Sequence, residues 1–142
     1  QDGGYTPGEV KQLGMVNVWS PLVLERVENG CMEFVPGTHH LGPVPHEKRE
    51  FYLEISPDAL APHVVQAVAI ELDPGDVVLF HNLLFHRGTP NHSSTIRWSL
   101  DWRYQDATQS TLRKEHGHIA RSRSHPETAV QSANAWGNLT FG

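Results

Sequence analysis

Glycine and proline residues are spread along the whole of this 142-residue chain, and they restrict its regular elements to short ones. The chain holds 12 glycines and 10 prolines. Proline has no N–H to donate and glycine tolerates positive φ angles, so both residues favour turns. The pattern predicts short strands joined by frequent turns. We therefore expect an all-β barrel or sandwich with only a minor helical part.

Strands are predicted where apolar residues run together or alternate. A long strand is expected over residues 15–27, followed by an Asn29-Gly30 hairpin turn and an antiparallel return over residues 31–35. The pattern predicts further strands over residues 51–55, 64–72 and 77–80, the last of them buried on both faces.

Residues 97–104 show the clearest alternation in the chain, with Arg97 and Ser99 on the face opposite Trp98. Residues 105–123 are polar and loop-like. A helix is predicted over residues 124–136, with Ser124 and Glu127 as a capping box and Gly137 as its end. We expect a single domain over residues 1–142, with a β core over 1–104 and an extension over 105–142.

Composition excludes several classes of protein. The formal net charge is −5 and no basic cluster occurs, which argues against nucleic acid as a partner. No apolar run approaches the roughly 18 residues of a membrane span, so a membrane partner is not expected. The single Cys31 cannot form an internal disulfide. No targeting signal is visible, so cytoplasm is only the default compartment, and the oligomeric state is not indicated.

The ten histidines direct the search for chemistry, because histidine is the commonest metal ligand and proton carrier. His81 and His86 follow the strand predicted at 77–80. They are five residues apart, so on a regular strand they face opposite ways and do not ligate the same ion. Arg97 and Ser99 share a face and could hold a carboxylate. Each stretch also has a purely structural alternative. The two histidines could be hydrogen-bonded within the turn, and Arg97 and Ser99 could lie on a solvent-facing strand face. Asp2, taken alone, is a turn residue.

Taken together, several motifs in order resemble the phytanoyl-CoA dioxygenase family of Fe(II)- and 2-oxoglutarate-dependent oxygenases. The matching features are Gln1-Asp2, Trp19, Asn29-Gly30-Cys31, Pro36-Gly37-Thr38-His39, Gly75-Asp76 with Phe80-His81, His86, and Arg97 eleven residues after it. The resemblance extends over about residues 1–104. It implies a double-stranded β-helix, or jelly roll, of the cupin-like kind.

The resemblance also implies a site. Asp2 and His86 match two of the three protein ligands of Fe(II). The third, a histidine two residues before Asp2, would precede Gln1, so we expect the chain to be an N-terminally truncated fragment. Arg97, Ser99 and Trp19 match the 2-oxoglutarate pocket. The implied reaction uses O2 to hydroxylate an aliphatic C–H of a small molecule or acyl-CoA, with release of succinate and CO2.

Further expectations follow for the surroundings of this site. Asp2 argues against a halogenase, because those relatives lack the carboxylate. Trp19 is either a pocket residue or plain core, and residues 3–14 are either a mobile lid or a surface loop. His39, His40 and His46 either contact substrate or are solvated, and solvation is the expectation. A fragment without its upstream strands is expected to aggregate when expressed alone.

Three alternatives stay open from the sequence. A metal-binding cupin would need an upstream His-x-His, which His39-His40 does not supply. A catalytically inactive pseudo-oxygenase would keep the jelly roll without the iron. A carbohydrate-binding β-sandwich would leave the spacing between His86 and Arg97 unexplained.

Overall fold

The computed structural model describes residues 1–2, 14–106, 108–109 and 118–141, except for the side chains of residues 139–141. The chain forms two compact units, residues 1–104 and residues 105–142. Most of the lid expected at residues 3–14 lies outside the described residues. Within the described ranges, no helix is both long and apolar enough to cross a membrane.

The first unit is built from short strands in two three-stranded sheets and one hairpin. One sheet has the order β6-β1-β8, the other β5-β2-β7, and the hairpin pairs β3 with β4. The elements are β1 Met15–Pro21, β2 Met32–Val35, β3 His46–Lys48, β4 Leu53–Ile55, α1 Pro57–Leu60, β5 Val68–Ile70, β6 Val78–His81, β7 Phe85–Gly88 and β8 Ser99–Gln105, with 3-10 turns at Val27–Asn29, Thr38–Leu41 and Val64–Gln66. The fold is the expected jelly roll.

Apolar side chains from both sheets form the core. Phe34 of β2 and Phe80 of β6 meet edge to face, with ring centroids 4.9 Å apart. Trp19 of β1 packs against the same cluster. Cys31, just before β2, is fully buried, and burial raises the pKa of its thiol. This core fixes the two sheets relative to each other and so positions the side chains between them.

The long strand and hairpin expected around Asn29-Gly30 do not form. β1 stops at Pro21, which has no N–H for a sheet. β1 and β2 then join different sheets, so they are not partners. Gly30 does adopt a left-handed φ of +88°, but as the cap of a 3-10 turn. A Cβ at Gly30 would lie 2.6 Å from the Thr89 carbonyl oxygen, so this position requires glycine.

Three other strand predictions need correction. Residues 64–72 split into a 3-10 turn and β5, and residues 51–55 form strand only at β4. The strand at 77–80 is not buried on both faces, because Leu79 is 66% exposed while Phe80 is 8% exposed. Trp98 and Leu100 are also exposed. A continuous apolar run therefore indicated the strand correctly but not its burial.

The second unit holds one helix, α2 Ala133–Phe141, and a 3-10 turn at Pro126–Thr128. The helix predicted over residues 124–136 is therefore misplaced. Ser132, rather than Ser124, has a side-chain oxygen that accepts from a backbone N–H of the first helical turn, that of Ala135, at 3.1 Å. Gly137 lies inside α2 and does not end it.

Candidate metal and cosubstrate site

His86 is held in one tautomer by the backbone of its own strand. It lies on β7, opposite Phe34 of β2. Its Nδ1 is 2.8 Å from the Leu84 carbonyl oxygen, and a carbonyl can only accept, so Nδ1 carries the hydrogen. The Nε2 lone pair is therefore left for a ligand. Burial lowers the pKa of the His86 imidazole, so the ring is neutral at neutral pH.

Asp2 converges with His86 on the same point. Its Oδ2 lies 3.8 Å from His86 Nε2, and the two side chains are 17% and 15% exposed. Fully buried Asn17 donates a hydrogen bond from Nδ2 to Asp2 Oδ2. Arg103 Nη2 lies 3.4 Å from Asp2 Oδ1. An imidazole nitrogen and a carboxylate oxygen, each held by a further contact, are the donor types that suit a non-haem iron.

Gln1 fixes the backbone that carries Asp2. Its side-chain Nε2 donates to the carbonyl oxygens of Gly42 at 2.9 Å and Leu83 at 2.7 Å, and its Oε1 accepts from the Val44 N–H at 3.2 Å. The Gln1 residue is 8% exposed. One amide therefore ties Asp2 to the loop before β3 and to the turn before β7.

Arg97 belongs to a second polar cluster between the sheets. Its Nη1 lies 2.9 Å from Glu25 Oε1 and donates to Ser99 Oγ at 3.3 Å. Its guanidinium carbon lies 5.0 Å from the centre of the Trp19 ring, within the range of a cation–π contact. Trp19 Nε1 in turn donates to Glu25 Oε2 at 2.9 Å. The structure thus brings Arg97, Ser99 and Trp19 together.

Glu25, Asn17 and Arg103 were missed from the sequence. Asn17 lies two residues before Trp19, and Arg103 lies six residues after Arg97, so the two-residue period of a strand could have placed each on the inward face. Glu25 follows Pro21 in an irregular stretch, where no period applies. No sequence signal pointed to it.

The histidines outside this site have other surroundings. His81 Nδ1 accepts a hydrogen bond from the Leu83 N–H at 3.0 Å, and its ring lies 5.4 Å from that of His39. His40 is exposed as expected, whereas His39 and His46 are partly buried and not fully solvated. Among the described residues, no group of three histidine, cysteine or acidic side chains is arranged to hold a metal ion.

A cavity of about 560 Å³ opens beside Asp2 and His86. Apolar side chains form part of its wall, and a charged pair, Glu33 with Arg87, lies at another part. The apolar lining residues are Val35, Leu53, Ile55, Leu60, Val64 and Ala67. Ligand pockets for small molecules commonly have volumes of about 300–1,000 Å³. The cavity therefore has the size and lining of a small-molecule pocket.

The family model for phytanoyl-CoA dioxygenase matches residues 1–99. This chain belongs to the phytanoyl-CoA dioxygenase family. A probable phytanoyl-CoA dioxygenase of Caenorhabditis elegans is 28% identical over 123 residues, an alignment that covers 74% of this chain and 38% of the relative. The chain thus spans well under half the length of that curated relative.

Two solved structures extend the likeness to ligand-bound proteins. EvdO2 from Micromonospora carbonacea var. aurantiaca, complexed with 2-oxoglutarate, is 25% identical with a TM-score of 0.57, over 79% of this chain and 48% of that one. The epimerase SnoN, in complex with Fe3+, alpha ketoglutarate and nogalamycin RO, is 28% identical with a TM-score of 0.50, over 66% of this chain and 36% of that one. Both similarities agree with the jelly roll described above.

Proposed function

We propose that this chain carries the iron and cosubstrate site of an Fe(II)- and 2-oxoglutarate-dependent oxygenase that hydroxylates an aliphatic C–H of a small molecule. The observation that carries the proposal is the approach of Asp2 Oδ2 to His86 Nε2, at 3.8 Å, with the His86 tautomer fixed by Leu84. Asp2 and His86 would hold the iron. The third ligand would be a histidine immediately before Gln1 in the full-length protein.

The iron, when bound with O2 and 2-oxoglutarate, supplies the oxidising power, with succinate and CO2 as products. Around it, Asn17 and the Leu84 carbonyl orient the two ligands, which removes the need to order them at each turnover. Arg97 and Ser99 would hold the distal carboxylate of 2-oxoglutarate, because a guanidinium and a hydroxyl both donate to a carboxylate.

The cavity beside Asp2 and His86 would hold the substrate. Its apolar wall favours an aliphatic group and also keeps water from the reacting centre. The pair formed by Glu33 and Arg87 offers one charge of each sign at the same cavity. The two charges balance, so the apolar wall is the main selective feature. A small molecule with an aliphatic portion fits this lining.

The test measures two quantities on the full-length protein. The first is Fe(II) binding under anaerobic conditions, and the second is succinate formation from 2-oxoglutarate. Asp2→Ala should lower both by at least about 100-fold, because a lost ligand leaves the ion without one of its few protein donors. Asp58→Ala, the same change at an exposed position of α1, should alter neither. Unchanged iron binding in Asp2→Ala would contradict the proposed site.

A further inference from the structure

Glu25 is fully buried, and its carboxylate pairs with Arg97, the arginine that we assign to the cosubstrate. The inference about Glu25 rests on that proposed function. Its Oε1 lies 2.9 Å from Arg97 Nη1, and its Oε2 accepts from Trp19 Nε1. The residue is 0% exposed. This carboxylate contacts neither Asp2 nor His86, and it has no role in the proposed reaction.

The backbone of Glu25 is fixed. Its N–H donates to the Leu72 carbonyl oxygen at 2.9 Å, and its carbonyl oxygen accepts from the Leu72 N–H at 3.0 Å. These two bonds form an isolated antiparallel bridge between otherwise irregular segments. These two bonds fix the Cα of Glu25, and because the residue is 0% exposed, its carboxylate reaches water only if the surrounding side chains move. A ligand that binds to Arg97 therefore finds the carboxylate of Glu25 already beside the arginine.

Arg97 in turn cannot leave Glu25 without cost. Within the described residues, Oε1 has the ion pair to Arg97 but no hydrogen-bond donor in good geometry. Removing the guanidinium would leave a buried negative charge with only the Trp19 hydrogen bond to stabilise it, which is strongly unfavourable. A second carboxylate must therefore share Arg97 with Glu25 rather than take it over.

Arg97 Nη2 lies beside Gly88 of β7. Both contacts to Glu25 and Ser99 use Nη1, and a Cβ at Gly88 would lie 3.5 Å from Nη2. A guanidinium has five N–H donors in a planar fork, so donors remain for a second acceptor. Glu25 has nevertheless already neutralised the single positive charge of Arg97. The incoming carboxylate would face a pair whose net charge is zero, with a negative charge close behind the arginine.

We propose that Glu25 is an affinity- and specificity-determining residue of the cosubstrate pocket. As a built-in carboxylate it shares Arg97 with the distal carboxylate of 2-oxoglutarate. It thereby weakens the binding of this dicarboxylate relative to 2-oxo acids that have no distal carboxylate.

The test compares two ligands by calorimetry on the anaerobic, Fe(II)-loaded full-length protein. In Glu25→Gln the amide oxygen can still accept from Trp19, while the negative charge is gone. We expect the Kd for 2-oxoglutarate to fall about tenfold, equivalent to about 1.4 kcal/mol. The Kd for 2-oxobutyrate should stay within about twofold, less than about 0.5 kcal/mol, because this acid has no distal carboxylate for the charge of Glu25 to repel.

Glu47→Gln is the matched control, because it makes the same change at a carboxylate paired with Arg49 at 3.0 Å and about half exposed. It should alter neither Kd. Should Glu25→Gln fail to fold, Glu25→Asp decides the question, since it keeps the charge but withdraws it by one methylene. It should bind 2-oxoglutarate more tightly than the wild type and less tightly than is expected for the glutamine variant.

The result that overturns the inference is a Kd for 2-oxoglutarate that is unchanged or raised in the Glu25 variant. Glu25 would then only hold Arg97 and Trp19 in position. Arg97→Gln, shown first by circular dichroism to be folded because it leaves Glu25 without its ion pair, separates this failure from failure of the proposed function. If Arg97→Gln loses 2-oxoglutarate affinity, the cosubstrate site stands without the role of Glu25. If Arg97→Gln binds 2-oxoglutarate as the wild type does, both proposals fall.

Discussion

His81 and His86 stand five residues apart at the two ends of one turn, yet their imidazoles are held in opposite ways. The Leu84 carbonyl requires a hydrogen on Nδ1 of His86, which leaves Nε2 as an acceptor. The Leu83 N–H donates to Nδ1 of His81, so in the neutral ring Nε2 carries the hydrogen. Partial burial lowers the pKa of both rings. The backbone partner, rather than the number of histidines, therefore decides which ring can serve as a metal ligand.

The largest expected effect separates these two histidines directly. His86→Ala should reduce Fe(II) affinity and succinate formation by at least about 100-fold, because one of the few metal ligands is lost. His81→Ala makes the same change on the neighbouring strand and should leave both within about twofold, a difference of less than about 0.5 kcal/mol. The readouts are anaerobic iron binding and succinate release by the full-length protein. Equal losses in the two variants would show that the tautomer argument is wrong.

Asn17 gives a second test of the site at His86, because it donates a hydrogen bond to the Asp2 carboxylate that lies beside His86. Asn17→Ala removes the hydrogen bond to Asp2 Oδ2 and should lower Fe(II) affinity by about 10- to 100-fold, the usual cost of losing such a supporting contact. Ser20→Ala is a suitable control, since its hydroxyl bonds the Asp76 carbonyl oxygen at an exposed place. Iron affinity that stays at the wild-type level in Asn17→Ala would mean that Gln1 and Arg103 are enough to hold Asp2 in place.

Thr38 tests how firmly the strand under His86 is anchored. Its hydroxyl donates to the Val35 carbonyl oxygen at 2.7 Å and accepts from the Phe85 N–H at 3.0 Å, all within the buried interior. Thr38→Val leaves both backbone groups without this partner, and the free energy of unfolding should fall by about 1–3 kcal/mol. Thr38→Ser keeps the hydroxyl and should lose less. Chemical denaturation measures both, and a loss in Thr38→Ser as large as that in Thr38→Val would show that the hydroxyl contributes no more to stability than the methyl group does.

The smallest effect concerns pH. Partial burial lowers the pKa of His81, so the unfolded chain binds this proton at a higher pH than the folded chain does. Stability is therefore unaffected by His81 well above pH 6.5 and falls as the pH drops below that value. His81→Gln removes the titrating group, so the loss of stability between pH 7 and pH 5 should become smaller. A larger loss in the variant would reverse the sign of this argument.

The sequence predicted which of these side chains lie together better than it predicted the elements that carry them. Arg97 and Ser99 were placed on one face by the two-residue period alone, and the structure joins them through a hydrogen bond of 3.3 Å. The odd spacing of His81 and His86 separated them in the same way. The roles of Asp2 and His86 as metal ligands remain predictions. The family resemblance implies these roles, and the 3.8 Å distance between Asp2 Oδ2 and His86 Nε2 supports them.

The errors have a common cause, which is that local signals do not reveal partners distant in the chain. Asn29-Gly30 is a strong hairpin signal, yet the strands beside it join opposite sheets. Ser124 and Glu127 match a capping box, yet α2 begins nine residues later. Glu25 carries no local signal, because its role depends on Trp19, Leu72 and Arg97, which only the folded structure brings to it.

The buried thiol of Cys31 can report on local opening of the fold. The side chain is fully buried and the raised thiol pKa leaves little thiolate, the form that reacts with alkylating reagents. Because Cys31 immediately precedes β2, the central strand of its sheet, a reagent reaches the sulfur only when that region opens. The alkylation rate of Cys31 therefore measures how often the barrel opens locally. A bound ligand that holds the two sheets together should lower this rate.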